Sequence, residues 1–210
     1  MRYFNPARDS RDEILDHYTG VGEVLAVHEL DRVFGQLGRP LLVKRGSLFS
    51  LDDAQSNNLI FVGSPAENLT LRDIPSNQNF VFQRLTSGPR KGDLAIVNLH
   101  PEPGEEKQVL SSRTLPLRED YAVIGLFPGM NPARSVMIFA GTTTLGTQAA
   151  VEYVCRQNSL DELLLRLSVS KTGNLTPFEA VLRVKVARGV PVSAEVVALR
   201  KSHLVEGIVQ

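Results

Sequence analysis

The chain has 210 residues, 23 Lys and Arg balanced by 23 Asp and Glu, 42% hydrophobic residues, one Cys and no Trp. Zero formal charge excludes the strongly basic footprint of a dedicated nucleic-acid or anionic-membrane binder, and a lone Cys excludes an intrachain disulfide and a thiolate zinc site. No run approaches the ~20 apolar residues of a membrane span and the charged N-terminus is unlike a secretion signal, so a cytoplasmic protein is expected.

In chain order, residues 1–12 carry Arg2, Arg8, Asp9, Arg11 and Asp12 around Pro6 and read as a flexible arm. Residues 13–201 read as one α/β domain and 202–210 as a tail. Ala26, Leu30, Val33, Phe34 and Leu37 recur at helical spacing until Gly38-Arg39-Pro40 stops the pattern. Leu41-Leu42-Val43 reads as a short strand, Ser50-Leu51-Asp52-Asp53 as a capped helical turn, and Leu59-Ile60-Phe61-Val62 as a strand buried on both faces. Residues 77–85 fit strand or helix, whereas Leu94-Ala95-Ile96-Val97 is bounded as a strand by Gly92 and Pro101. The Pro, Gly and Glu of 101–106 predict a surface loop, where a domain boundary would fall. Residues 121–127 and 136–140 are apolar strands flanking Pro128-Gly129-Met130-Asn131-Pro132, as in an antiparallel hairpin. The second leads through Gly141-Thr142-Thr143-Thr144-Leu145-Gly146-Thr147 into a helix carrying Ala149, Ala150, Tyr153 and Val154.

Ser159-Leu160-Asp161-Glu162 has capping-box spacing for a helix over 160–167. Residues 180–187 and 190–199 alternate apolar with polar around Arg188-Gly189, which predicts a hairpin with one wet face. An exposed hairpin edge is a liability unless paired, so a homodimer through it is expected. Strands alternating with helices over the first 65 residues and again over 136–167 predict a three-layer, Rossmann-like α/β sandwich with a mixed sheet and a C-terminal antiparallel hairpin.

Three segments share one grammar, a turn between an apolar strand candidate and a helix or turn. They are Thr19-Gly20-Val21-Gly22-Glu23, Gly63-Ser64-Pro65-Ala66-Glu67-Asn68 and the Thr-rich loop 141–147. Such turns lie at the carboxyl edge of an open sheet, where helix N-termini present free N–H groups and Gly lets a ligand approach the backbone. The candidate ligand-binding residues are therefore Thr19, Gly20, Gly22, Glu23, Gly63, Ser64, Glu67, Asn68, Thr142, Thr143, Thr144, Gly146 and Thr147. Four hydroxyls within six residues exceed what one helix cap needs, which points to a small anionic, polyhydroxylated or nucleotide-like ligand. No cofactor is expected, because the spacing matches neither the dinucleotide fingerprint nor a P-loop.

Glu23 and Glu67 are the carboxylates that would serve an enzyme cleaving a nucleoside's N-glycosidic bond, although Glu23 also complements a helix dipole without any chemistry. Asp16-His17 reads as surface, and His28, His100 and His203 lack metal-ligand spacing, so no metal is expected. Cys155 reads as a small core residue. The sequons at Asn68 and Asn174 matter only in a secreted chain, and Arg183, Lys185, Arg188, Arg200 and Lys201 read as a solvated strand face.

The stretches from His17 to Leu30, from Leu59 to Asn68, and from Tyr121-Ala-Val-Ile-Gly125 through Gly141-Thr-Thr-Thr-Leu-Gly-Thr-Gln-Ala-Ala150 resemble a group of uncharacterised bacterial Rossmann-like α/β domains. Some of these are C-terminal modules of regulator-like proteins. The resemblance covers nearly all of residues 14–200 and implies a bacterial, cytoplasmic domain, but it brings no activity, cofactor or catalytic residue. The reading is a ligand-sensing or interaction domain leaning away from catalysis, with the nucleoside-cleaving enzyme and a ligand-free dimeric scaffold as alternatives.

Overall fold

The apolar run after Asp120 becomes the middle of a five-stranded sheet. The computed structural model describes residues 19–65, 71, 79–169, 173 and 175–201. The elements are α1 (Val21–Gln36), a 3-10 turn (Gly46–Leu48), α2 (Leu51–Ser56), β1 (Leu59–Val62), β2 (Phe80–Arg84), β3 (Leu94–Asn98), β4 (Gln108–Val109), β5 (Glu119–Pro128), β6 (Ser135–Gly141), α3 (Thr144–Cys155), α4 (Gln157–Arg166), β7 (Phe178–Ala187) and β8 (Val190–Lys201). The large sheet has the order β1-β6-β5-β7-β8, and β2-β3-β4 form a second, antiparallel sheet. Among the described residues only β1 and β6 pair in parallel, with Leu59 opposite Val136 and Val62 opposite Phe139. The other three pairings of the large sheet are antiparallel.

Strand alternation divides the core between the two faces of the large sheet. Ala122 and Ile124 of β5, with Leu182 and Val184 of β7, pack under Ala149, Ala150 and Tyr153 of α3, and α1 adds Ala26 and Leu30 to that cluster. Tyr121, Val123, Val181 and Ala198 point the other way and meet Phe80, Ile96 and Val109 of the small sheet. The mixed sheet and the C-terminal hairpin are therefore present. The Rossmann-like expectation needs correction, since helices cover one face and a β-sheet covers the other. The pattern of 80–109 explains it: Phe80, Ile96 and Val109 supply one apolar face of strands too short to be helices.

Local chemistry accounts for most boundaries. Gly38 stands at φ 67° just after α1, where its N–H bonds Gly35 O at 3.0 Å and Arg39 N–H bonds Phe34 O at 2.9 Å, a helix stop that favours glycine. Ser50 and Asp53 form a reciprocal capping box at the start of α2. Arg188 and Gly189 at φ 52° and 76° make the two-residue turn joining β7 to β8.

Three further expectations change. Residues 41–43 are not a strand, and Leu42 and Val43 are exposed, so β1 is the one strand among the described residues up to 65. Helix α4 starts at Gln157, and Ser159 is not its cap: its Oγ donates to Tyr153 O at 2.5 Å and to Arg156 O at 3.2 Å. Strand β7 lies inside the sheet between β5 and β8 and is buried on both faces over its first half, so only the outer strand β8 and the tip of the hairpin are wet. The expected arm and tail lie outside the described residues. Among the described residues no helix is long and apolar enough to cross a membrane.

Candidate functional site

Because β1 and β6 are parallel, the turns that follow them share one end of the sheet. Gly63 N–H donates to Phe139 O at 2.9 Å, and the neighbouring Ser64 is buried. Past the end of β6, Thr142 N–H donates to Tyr121 O at 2.8 Å and α3 begins two residues later. The first turn of α1 seats on that start, where Gly22 N–H donates to Thr144 Oγ1 at 2.8 Å and the same hydroxyl donates to Glu23 Oε2. The structure thus brings Gly20, Gly22, Glu23, Gly63, Ser64 and the loop 142–147 to one edge. Thr19 is exposed one residue before the N-cap Gly20. Glu67 and Asn68 lie outside the described residues, as do Asp16, His17 and His203.

The excess of hydroxyls has an internal explanation, Asp120. This side chain is fully buried in β5 and accepts from Thr142 Oγ1, from Thr143 Oγ1 at 2.5 Å, from Gly146 N–H at 2.7 Å and from Tyr121 N–H at 2.9 Å. Burial pushes its carboxyl above the ordinary value, and these four donors pull against that rise. Thr143 also caps α3 by accepting from Leu145 N–H at 3.3 Å, and Thr147 Oγ1 accepts from Gly141 N–H at 3.0 Å. A carboxylate of the chain therefore sits where an anion would bind a helix N-terminus, and the first-turn N–H groups of Leu145 and Gly146 are already taken.

The glycines serve the same closeness. A Cβ on Gly22 would run into the backbone carbonyl of Thr144, and one on Gly146 would stand 2.6 Å from Tyr121 O and 2.9 Å from Asp120 Oδ2. These positions are small so that α1, α3 and β5 can touch, rather than to admit a ligand.

Glu23 is the exception to this closed accounting. It is only 6% exposed, its Oε2 is held by Thr144, and its Oε1 is buried with no hydrogen-bond partner. An unsatisfied buried acceptor costs about 1–3 kcal/mol, so Oε1 is the one group here that gains from an added donor.

Elsewhere the structure disposes of other candidates. Cys155 is half-buried and burial pushes its thiol up to about 11, which leaves it a poor nucleophile. His28 and His100 are exposed, and among the described residues no group of three or more His, Cys, Asp or Glu could hold a metal. Arg200 is not part of a solvated face. Its guanidinium forks onto Glu105, with Nη1 to Oε1 at 2.9 Å and Nη2 to Oε2, and it lies 5.5 Å from the centre of the Phe80 ring. Sequence reading missed Asp120, Glu105 and Glu179, the last buried in β7 and accepting from the N–H groups of Asn79 and Phe80 at 3.1 and 3.2 Å. The readable signal was a charge bordering an apolar run, beside three hydroxyls in need of an acceptor.

No family model, curated protein or solved structure matches the chain.

Proposed function

We propose that the chain is a small-molecule-binding module whose ligand enters the carboxyl edge as a hydrogen-bond donor. The supporting observation is the unpartnered, buried Oε1 of Glu23 beside a helix N-terminus whose Leu145 and Gly146 N–H groups are already spent on Thr143 and Asp120. An edge that holds two carboxylates, one of them with a free acceptor, repels phosphate and favours hydroxyls, so the expected anionic or nucleotide-like ligand narrows to a neutral polyhydroxylated one, such as a nucleoside or sugar. Glu23 is suited to holding such a ligand rather than cleaving it, because Thr144 fixes one oxygen and orients the other.

A thermal-shift comparison of neutral nucleosides and sugars with their phosphates tests this. A neutral ligand at a hundred times its dissociation constant should add about 2.7 kcal/mol of stability, and the phosphates little. Glu23→Gln should reduce the gain: its amide oxygen takes the Thr144 proton, and the NH2 group left facing the ligand's hydroxyl replaces a charge-assisted bond with a weaker neutral one. Stabilisation by phosphates alone would overturn the proposal.

A further inference from the structure

On the opposite face of the large sheet, away from Glu23, a cavity of about 240 Å³ opens between the two sheets. Its floor is apolar: Phe80, Ile96 and Val109 come from the small sheet, and Val181, Val197 and Ala198 from the large one. Its polar lining is Asn98, Glu105, Glu106, Tyr121 and Arg183.

The side chains of that lining donate mostly to one another and to their neighbours. Asn98 Nδ2 donates to Glu105 at 2.9 Å, the Tyr121 hydroxyl donates to Glu119 at 3.0 Å, and Arg183 Nε and Nη2 donate to Glu195 at 2.9 and 2.6 Å. The charges pair off as well, Glu105 with Arg200 and Arg183 with Glu195, which leaves exposed Glu106 with no ion pair among the described residues. Acceptor capacity remains at the Glu106 carboxylate, the lone pairs of the Tyr121 oxygen, and the Asn98 carbonyl, which takes one bond from His100 N–H at 3.2 Å, while the Arg183 charge is offset by Glu195.

We propose that this cavity binds a small primary amine with an apolar body, the body on the six-residue floor and the ammonium at Glu106 and Tyr121. An ammonium brings three donors and one positive charge, which matches the free acceptors around Glu106 and Tyr121 and the one uncompensated negative charge of the lining. The volume lies below the ~300–1,000 Å³ of pockets for drug-sized ligands, so the amine is small, about the size of phenethylamine. A carboxylate of the same shape would meet Glu106 with like charge.

The test is a titration of the full chain, with backbone amides followed by NMR, using phenethylamine and 3-phenylpropionate as probes. Phenethylamine should shift the amides of Val109, Val181 and Ala198 and bind at least about tenfold more tightly than 3-phenylpropionate. Glu106→Gln, at an exposed position that the fold does not need, should weaken the amine about fivefold and leave the carboxylate unchanged or improved. Glu23→Gln should leave amine binding intact, which separates this site from the carboxyl edge. The proposal is overturned if 3-phenylpropionate binds as tightly as the amine, if Glu106→Gln leaves amine affinity unchanged, if the shifts fall on Gly22 and Thr144, or if no cavity amide moves at millimolar amine.

Discussion

Asp120 and Glu105 both collect several hydrogen bonds, and the character of the donors sets them apart. Asp120 lies under the helices and takes bonds only from hydroxyls and backbone N–H groups, so burial wins and pushes its carboxyl up. Glu105 joins the small sheet to β8 and takes a forked guanidinium, so Arg200 pulls its carboxyl down to about 2 against the opposing effect of burial. The first arrangement consumes neutral donors to close a helix N-terminus, and the second neutralises a charge while leaving acceptors beside a cavity. Each region's remaining chemistry follows from what its central carboxylate has used up.

The largest effect should come from Asp120→Ala, which strands two backbone N–H groups and two hydroxyls in the interior. A loss of about 3–5 kcal/mol in denaturant unfolding is expected, and a cost under about 1 kcal/mol would show that water reaches the loop. Gly22→Ala should follow at about 1–3 kcal/mol, because its Cβ must displace α1 from the Thr144 carbonyl.

Arg200→Met keeps the stem over Phe80 but removes the fork onto Glu105, and should cost about 2 kcal/mol. The same variant sharpens the comparison through pH. Glu105 has its folded-state value lowered from 4.5 to about 2, so its contribution is present above pH 4.5 and is lost as the pH falls toward 2. Stability profiles of parent and Arg200→Met should converge across that window, and parallel profiles would deny the pair its role. Thr144→Val should cost about 1–3 kcal/mol, since it leaves the buried Gly22 N–H and the second oxygen of Glu23 without a partner.

How much of this was legible in the sequence depended on the range of the interactions. The stop at Gly38, the capping box at Ser50 and the turn at Arg188-Gly189 are local, and each could be read from neighbouring residues. The placement of Gly63 and Thr144 at one edge was readable from their strand-then-turn context, whereas the strand candidate before Gly22 lies outside the described residues. Asp120 was not readable, because its partners at 142, 143 and 146 lie across a strand pairing that places Ala122 opposite Gly141. The small sheet was hidden for the same reason, as residues 80–109 show no helical period but do not reveal which face they cover. Leu41-Leu42-Val43 misled because a short apolar run has no meaning until something packs on it, and here Leu42 is 82% exposed.

On the proposed function the carboxyl edge receives its ligand at the Glu23 acceptor, not at the N-terminus of α3. The most direct measurement is a titration of isotope-labelled protein followed at the amides of Gly22, Leu145 and Gly146, once with a neutral nucleoside or sugar found by thermal shift and once with inorganic phosphate. The neutral ligand should move Gly22, whose partner Thr144 also holds Glu23, and leave Gly146 bonded to Asp120. Phosphate should move none of the three. Saturable shifts of Leu145 and Gly146 with phosphate would contradict the account, since they would mean that an anion can take the helix N-terminus from Asp120.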